Sequence, residues 1–386
     1  MKLLVITDFI GTDASGIVIA KFLSELQKNN DLDVVTFKSD VSGFPGLRNV
    51  HVINLPAWLE KIRVERRKML IRRLGYNPFY EYGKFKIIRK LDKDYDAVLA
   101  FCHGTGLFGL VGGVSVKKRR NIPLVTFFFD AVPAPIGWIK DDRYRRNLSK
   151  MVSRNLKYVD GLLSANRKML QYESGFVPKN HQVKVSGCVY TPGLSSELLN
   201  LTHIDNGKTI FCYTGSIYFC RKADYVLAAF RKLVDVYPDC ELWFVGTRRI
   251  EDTVEKLDSD VKSRIKILPY TYDLMPYFSA SSALIDIDAD LPDDVYLSSK
   301  IANYICINRP IICETGINSE SRRIFSNLKT VYQCGHDAGE LFAAMKNVVE
   351  MKGEYDYSER TGLIKMFSLE ENTSKLMGLI SSVISC

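Results

Sequence analysis

Tyr296-Leu-Ser-Ser-Lys300-Ile-Ala-Asn303-Tyr-Ile-Cys-Ile-Asn-Arg-Pro310-Ile-Ile-Cys313 decides how the rest of the chain is read. A polar loop leads into an amphipathic helix with a lysine near its start. An Asn-Arg-Pro break then ends the helix before a β-branched, apolar strand. The first turn of a helix leaves backbone N–H groups without intrahelical partners and carries the positive end of the helix dipole, so it favours an anion. Ser298, Ser299 and Lys300 add hydroxyls and an ammonium at that point, a donor set suited to a diphosphate.

Outward from this stretch, short apolar runs alternate with longer amphipathic segments, the pattern of parallel sheets with crossover helices. In the first half, strands are expected at Lys2–Thr7, Asp33–Phe37, His51–Leu55, Ala97–Cys102, Leu124–Phe129 and Gly161–Ala165, with helices at Ser15–Lys28, Leu59–Leu74, Tyr80–Leu91 and Arg143–Tyr158. The rhythm restarts with a strand at Thr209–Tyr213 and a helix at Lys222–Val236. Strand Glu241–Val245, helix Ile250–Leu257 and strands Ile265–Leu268 and Ala283–Asp288 follow, and a helix at Ala338–Val349 comes late. A turn-rich stretch from Val189 to Gly207 separates the two series. The fold class expected is α/β, with two doubly wound Rossmann-like domains facing across a cleft and ligand sites at the carboxyl ends of their strands.

A chain of 386 residues is long for one core and is expected to divide in two. The hydrophobic fraction of 46% and charged fraction of 25% are those of a globular protein, and no window reaches the ~18 apolar residues of a membrane span. The N-terminal run Met1–Asp8 lacks a cleavage-site pattern and reads as a first strand. Nine cysteines lie singly, with no C-x-x-C pair and no His cluster, which argues for buried thiols in a reducing cytoplasm and against structural zinc. Charge is uneven: residues 1–190 hold 32 Lys and Arg against 17 Asp and Glu, or +15, whereas residues 191–386 hold 21 against 27, or −6. Around Lys61–Arg73 the cations interleave with Leu59, Ile62, Met69, Leu70 and Leu74. This basic amphipathic pattern suits either a solvated helix face or an anionic membrane surface. No nucleic-acid module accompanies the charge.

The candidate site residues lie at strand ends. Gly11 and Gly16 follow the first strand and open the first helix, but Gly11-Thr-Asp-Ala-Ser-Gly16 is not a dinucleotide fingerprint. It serves either a close approach to ligand or a plain strand-to-helix turn. Gly215 and Ser216 end Thr209–Tyr213, and Arg221 with Lys222 stands at the next helix start, where two cations oppose the helix dipole unless an anion lies between. Gly246 closes Glu241–Val245, and Tyr270 follows Ile265–Leu268. On the first half, Asp130 ends Phe127-Phe-Phe-Asp130 and His103 ends the neighbouring strand. A carboxylate or imidazole there serves to take or orient an acceptor hydroxyl, or merely caps a helix. The aspartates Asp286, Asp288, Asp290, Asp293 and Asp294 are a weak pattern for Mg²⁺, and no metal is expected.

Residues 209–315 resemble the donor-binding domain of GT-B glycosyltransferases of glycosyltransferase family 4. The Ser-Ser-Lys helix start and Pro-initiated strand match most closely. Lys222-Ala-Asp224 stands where the family has Lys-Gly-x-Asp, with Ala223 in place of glycine. Many retaining members carry two glutamates separated by seven residues. Here Val295 and Asn303 occupy those places, with Asp293 and Asp294 just before. The resemblance implies an acceptor-side domain over 1–190 and a nucleotide-sugar domain over 191–366, with 367–386 crossing back onto the first. It implies a metal-independent hexosyltransferase, retaining more than inverting, with an NDP-sugar as co-substrate and no other cofactor. A saccharide or lipid-linked acceptor, a role in cell-surface polysaccharide synthesis and a cytoplasmic site at the inner membrane face follow from it. Gly11, Gly16, Gly215, Ser216, Arg221, Lys222, Gly246, Tyr270, Ser298, Ser299, Lys300 and Asn303 would bind the donor, and Asp130 and His103 would serve catalysis. A non-catalytic GT-B partner subunit and an NDP-sugar 2-epimerase share the fold and stay open.

Overall fold

The structure is a computed structural model that describes residues 1–386 except 12, 91–93, 105, 195, 219, 352–354 and 386. The chain divides into two units. One comprises Met1–Pro192 with Leu369–Cys386, and the other Gly193–Ser368. These divisions fall two residues beyond the expected 190/191 and 366/367.

The first unit is built on a seven-stranded parallel sheet. Its strands are β1 (Lys2–Ile6), β2 (Asp31–Thr36), β3 (Val50–Val52), β4 (Ala97–Cys102), β5 (Leu124–Phe128), β6 (Gly161–Ser164) and β7 (Val185–Cys188), in the spatial order β3-β2-β1-β4-β5-β6-β7. Leu3 to Ile6 and Ala97 to Cys102 are buried throughout, because helices cover both faces of a parallel sheet. Helices α1 (Ala14–Leu26), α2 (Val64–Leu74), α3 (Pro78–Lys90), α4 (Phe108–Arg120), α5 (Asp142–Leu156) and α6 (Arg167–Ser174) belong to this unit.

Helix α4 is one of the elements that local sequence reading does not find, along with α6, β7 and the strand Val331–Cys334 of the second unit. Gly109, Gly112 and Gly113 make its sequence a poor helix former, and the glycines are there for packing. A Cβ on Gly109 would lie 2.1 Å from the carbonyl oxygen of Phe101 and 2.8 Å from that of Ile6, so the helix presses directly on β4 and β1. The single helix expected over 59–74 is divided into Ala57–Glu60 and α2, because Arg63 adopts an extended conformation with φ −59° and ψ 154° between them. The expected helix end at Leu91 and chain end at Cys386 lie outside the described residues.

The second unit carries a six-stranded parallel sheet: β8 (Thr209–Thr214), β9 (Cys240–Val245), β10 (Ile265–Leu268), β11 (Ala283–Ile287), β12 (Ile311–Glu314) and β13 (Val331–Cys334), ordered β10-β9-β8-β11-β12-β13. Its helices α7 (Asp224–Val234) and α9 (Ala338–Met351) pack together on a core of Phe211, Tyr213, Phe230, Phe244 and Leu341, and α8 (Ser299–Tyr304) precedes β12. Helix α7 starts two residues later than expected, so Arg221 and Lys222 precede it and Asp224 occupies its first turn, where a carboxylate favours the dipole.

The last helix, α10 (Leu369–Ser385), joins the first unit. Its Asn372 Oδ1 accepts the Tyr190 N–H at 2.7 Å, and Leu376, Ile380 and Val383 are buried. Gly161 and Gly187 make room for it, since a Cβ on either would come within 2.9 Å of Val383 or Leu379.

Candidate functional site

In both sheets the strand order reverses once, between β1 and β4 and between β8 and β11. Parallel sheets bind ligands outside the carboxyl ends of the strands at such a point, because the flanking loops diverge there.

In the second unit this position holds four charged side chains. Residues two apart on a strand share a face, which sets Asp286 and Asp288 on one side at the end of β11. Lys300 Nζ lies 3.5 Å from Asp286 Oδ1, and Arg221 Nη2 lies 3.6 Å from Asp288 Oδ1. The cations are 14% and 11% exposed and the carboxylates 2% and 1%, so the cluster is largely withdrawn from water. Arg221 is led to Asp288 by a backbone bridge to Ala289 and by the Asp290 N–H, which donates to the Cys220 carbonyl at 3.1 Å. Lys300 also sits over the Tyr213 ring at 5.2 Å.

The turns around the cluster are made by glycines. Gly215 has φ +97°, and a Cβ there would meet Lys300 Cε at 3.4 Å. Gly246 has φ +69° beside Tyr270, and the Thr247 hydroxyl donates to the Gly215 carbonyl at 2.7 Å, tying the two turns together. Ser216 is exposed, and its carbonyl accepts the Tyr213 hydroxyl at 3.0 Å. Tyr270 and Tyr272 are exposed and meet edge to face, with centroids 5.2 Å apart.

The Ser-Ser-Lys start differs from the sequence expectation in one respect. The Ser298 hydroxyl caps nothing and donates instead to Asp286 Oδ1 at 2.7 Å. Helix α8 has six residues, so its dipole is short, and Lys300 supplies the charge. Ser299 and Lys222 are exposed and Asn303 is half-buried. Among the described residues their side chains make no hydrogen bond or ion pair with the cluster. Arg221, Lys300, Ser298 and Gly215 therefore stand together, while Lys222, Ser299 and Asn303 stand apart.

Burial sets the electrostatics. It pushes the Asp288 carboxyl up to about 7, with the Asp286 charge adding and Arg221 opposing. Lys300 is lowered by burial, against the pull of Asp286. Burial also disfavours the Arg221 charge, but Asp288 and its neighbours outweigh this and hold it firmly protonated. Beside the cluster, Glu314 at the end of β12 pairs with His336 Nδ1 at 2.8 Å. The Asp286 and Asp288 pair is what sequence reading missed. Its signal was the spacing of two along one strand, which the metal question obscured.

The first unit assembles a second polar cluster. The Ser15 hydroxyl donates to Asp130 Oδ2 at 3.2 Å, and Gly104, with φ +56°, turns beside that carboxylate. His103 is 2% exposed, stacks its edge on Phe9 with centroids 3.9 Å apart, and leaves Nε2 without a hydrogen bond. Burial lowers it to about 4, so the ring is neutral at pH 7 and a weak base. Asp8, absent from the sequence expectations, accepts the Phe108 N–H at 2.9 Å and thereby caps α4; burial pushes its carboxyl up to about 7. The Gly11–Gly16 turn is braced by the chain itself. Asp13 caps α1 by accepting the Gly16 N–H at 2.7 Å, and a Cβ on Gly11 would lie 1.7 Å from the Asp40 carbonyl oxygen.

Among the described residues no group of three His, Cys, Asp or Glu side chains is arranged to hold a metal, and no helix is long and apolar enough to cross a membrane.

No family model and no curated protein matches the chain. Solved structures do. Anabaena HepE in complex with UDP and glucose superposes with a TM-score of 0.69 at 12% identity, covering 99% of this chain and 100% of that one. A glycosyltransferase from Rickettsia africae gives 0.69 at 11%, covering 99% and 98%. A UDP-N-acetylglucosamine 2-epimerase gives 0.56 at 12%, covering 98% and 94%. At such identities the likeness establishes the fold, which is that of the GT-B glycosyltransferases with two Rossmann-like units.

Proposed function

We propose that this protein is a glycosyltransferase that moves a sugar from an NDP-sugar to a saccharide or lipid-linked acceptor. The observation that carries the reading is the pair Arg221 and Lys300, both largely buried at the switch point of the second sheet. Each already faces a buried carboxylate, yet together they bring two phosphate-binding cations to the carboxyl ends of the switch-point strands, an arrangement suited to the adjacent negative groups of a diphosphate. HepE, which has this fold, is found with UDP and glucose.

In the reaction the bond between the sugar's anomeric carbon and the diphosphate breaks, one to the acceptor oxygen forms, and the acceptor's hydroxyl proton passes to the departing diphosphate oxygen. Charge accumulates on the departing diphosphate, where Arg221 and Lys300 stabilise it without a metal. The exposed Tyr270 offers a face for the base, while Gly215, Ser216 and Gly246 let backbone approach the ligand. Asp130 and the neutral His103 would orient the acceptor or the sugar, the roles such groups take in a retaining enzyme. Lys222, Ser299 and Asn303 would act at the rim of the site.

The acceptor side carries the membrane reading. Trp58 is 64% and Leu74 70% exposed, beside Met69 and the exposed cations Lys61, Arg63, Arg66, Lys68 and Arg73. That mixture suits the anionic headgroups and acyl boundary of a membrane surface. In this reading the enzyme works at the inner face of the membrane, in cell-surface polysaccharide synthesis.

Nucleotide release from a panel of UDP-, GDP-, dTDP- and ADP-sugars, with and without a bacterial lipid extract, tests this. Release that requires extract and is lost in Lys300→Ala supports a transferase. Interconversion of donors without acceptor indicates an epimerase. Binding without turnover indicates a partner subunit, the reading that non-acidic Val295 and Asn303 favour.

A further inference from the structure

The charge balance of the donor cluster has a consequence for binding. Arg221 and Lys300 each face a buried carboxylate, so the four side chains together are close to neutral and a diphosphate must enter beside Asp286 and Asp288. The two carboxylates are not equivalent. Asp286 accepts the Ser298 hydroxyl at 2.7 Å and keeps Lys300 at 3.5 Å. Asp288 is held more loosely. Its Oδ1 makes no hydrogen bond and faces Arg221 across 3.6 Å, beyond hydrogen-bond distance, while the Thr315 hydroxyl reaches its Oδ2 at 3.4 Å. A phosphate binds a guanidinium at about 2.7–2.9 Å. Arg221 therefore gains by turning toward the ligand, and Asp288 is then left 1% exposed beside a new negative charge.

We propose that Asp288 is a positioning residue that holds Arg221 until a nucleotide diphosphate binds, and that it takes up one proton from solvent when that ligand enters.

The surroundings support this. Asp286 on the same strand and Asp294 before α8 disfavour a charge on Asp288, and so does its burial. Arg221 from the loop before α7 and Lys300 on α8 favour it. Thr315, just after β12, reaches it, and the neighbouring Glu314 is engaged by His336. The carboxyl already stands at about 7 with Arg221 beside it, and removing that cation raises it further.

The inference rests on the donor-binding reading above. The test is isothermal titration of the tightest-binding NDP-sugar of the panel, chosen because a diphosphate diester does not itself titrate near neutrality. Titrations at pH 6.0 and 8.5 in two buffers of different ionisation enthalpy count the protons. The expected result is uptake approaching one proton at pH 8.5 and little at pH 6.0, with an affinity that falls up to about tenfold per pH unit above 7. Asp288→Asn, which is near-isosteric, is expected to remove both effects and to bind more tightly than wild type at pH 8.5. Wild-type binding without proton uptake overturns the proposal and leaves the donor reading standing. An Asp288→Asn protein that folds and keeps the wild-type pH slope overturns it equally. If the variant does not fold, the wild-type proton count decides. If no NDP-sugar binds, both fall together.

Discussion

The Ser298 hydroxyl donates to Asp286 Oδ1 at 2.7 Å, and Lys300, two residues on in the first turn of α8, lies 3.5 Å from the same oxygen. The Ser-Ser-Lys motif is thus anchored on the neighbouring strand before any ligand arrives. Removing Asp286 leaves an ammonium with 14% exposure and a buried hydroxyl without their acceptor. Asp286→Ala is expected to cost on the order of 3 kcal/mol, measured by guanidinium unfolding, and Asp286→Asn distinctly less because it still accepts from Ser298.

Arg221 and Lys300 are inside the cluster and Lys222 is exposed. A charge-assisted bond to phosphate contributes roughly 1.5–3 kcal/mol. Arg221→Ala and Lys300→Ala are each expected to lower kcat/KM by about ten- to a hundredfold, and Lys222→Ala by less than about threefold. Equal losses in all three would contradict the placement of Arg221.

His103 stands at about 4 in the folded chain against 6.5 for an ordinary histidine. The unfolded chain therefore binds the proton first. The associated stability is complete above pH 6.5 and is lost as pH falls from 6.5 to 4, by about 3 kcal/mol. Urea unfolding at pH 7 and pH 4.5 is expected to show that loss in wild type and a smaller one in His103→Gln.

Gly11 has φ +72°, and a Cβ there would lie 1.7 Å from the Asp40 carbonyl oxygen. Gly11→Ala is expected to destabilise the first unit by at least ~2 kcal/mol in thermal unfolding. A donor-binding role alone would instead leave stability unchanged and raise KM.

Six exposed cations accompany Trp58 and Leu74 on the basic face: Lys61, Arg63, Arg66, Lys68, Arg73 and Arg72, the last paired with Asp141. Each contributes about 1 kcal/mol near an anionic surface. Co-sedimentation with phosphatidylglycerol vesicles is expected to weaken roughly a hundredfold when Arg66, Lys68 and Arg73 become Gln. Vesicles of neutral lipid are expected to bind neither protein.

Two parallel sheets were legible from apolar runs such as Ala97–Cys102 and Ile311–Cys313, because a strand covered on both faces has no polar side to interrupt it. Helix α4 was not legible. Its glycines violate helix propensity and make sense only against the Phe101 and Ile6 carbonyls. Lys300 and Arg221 could be found as cations at helix starts. Asp286 and Asp288 could be seen but not assigned, since pairing between distant loops leaves no local trace (Arg221 to Asp288, for example, spans 67 positions).

The sequence by itself determined the two strand-helix series, the basic first half and the Gly215 and Ser298–Lys300 turns, because these follow from periodicity, composition and backbone freedom, which are local. Only the tertiary structure decided that Ser298 serves Asp286, that Asp288 balances Arg221 and that His103 is neutral. Those outcomes depend on which side chains long-range parallel pairing brings together, and on how completely water is removed from around them.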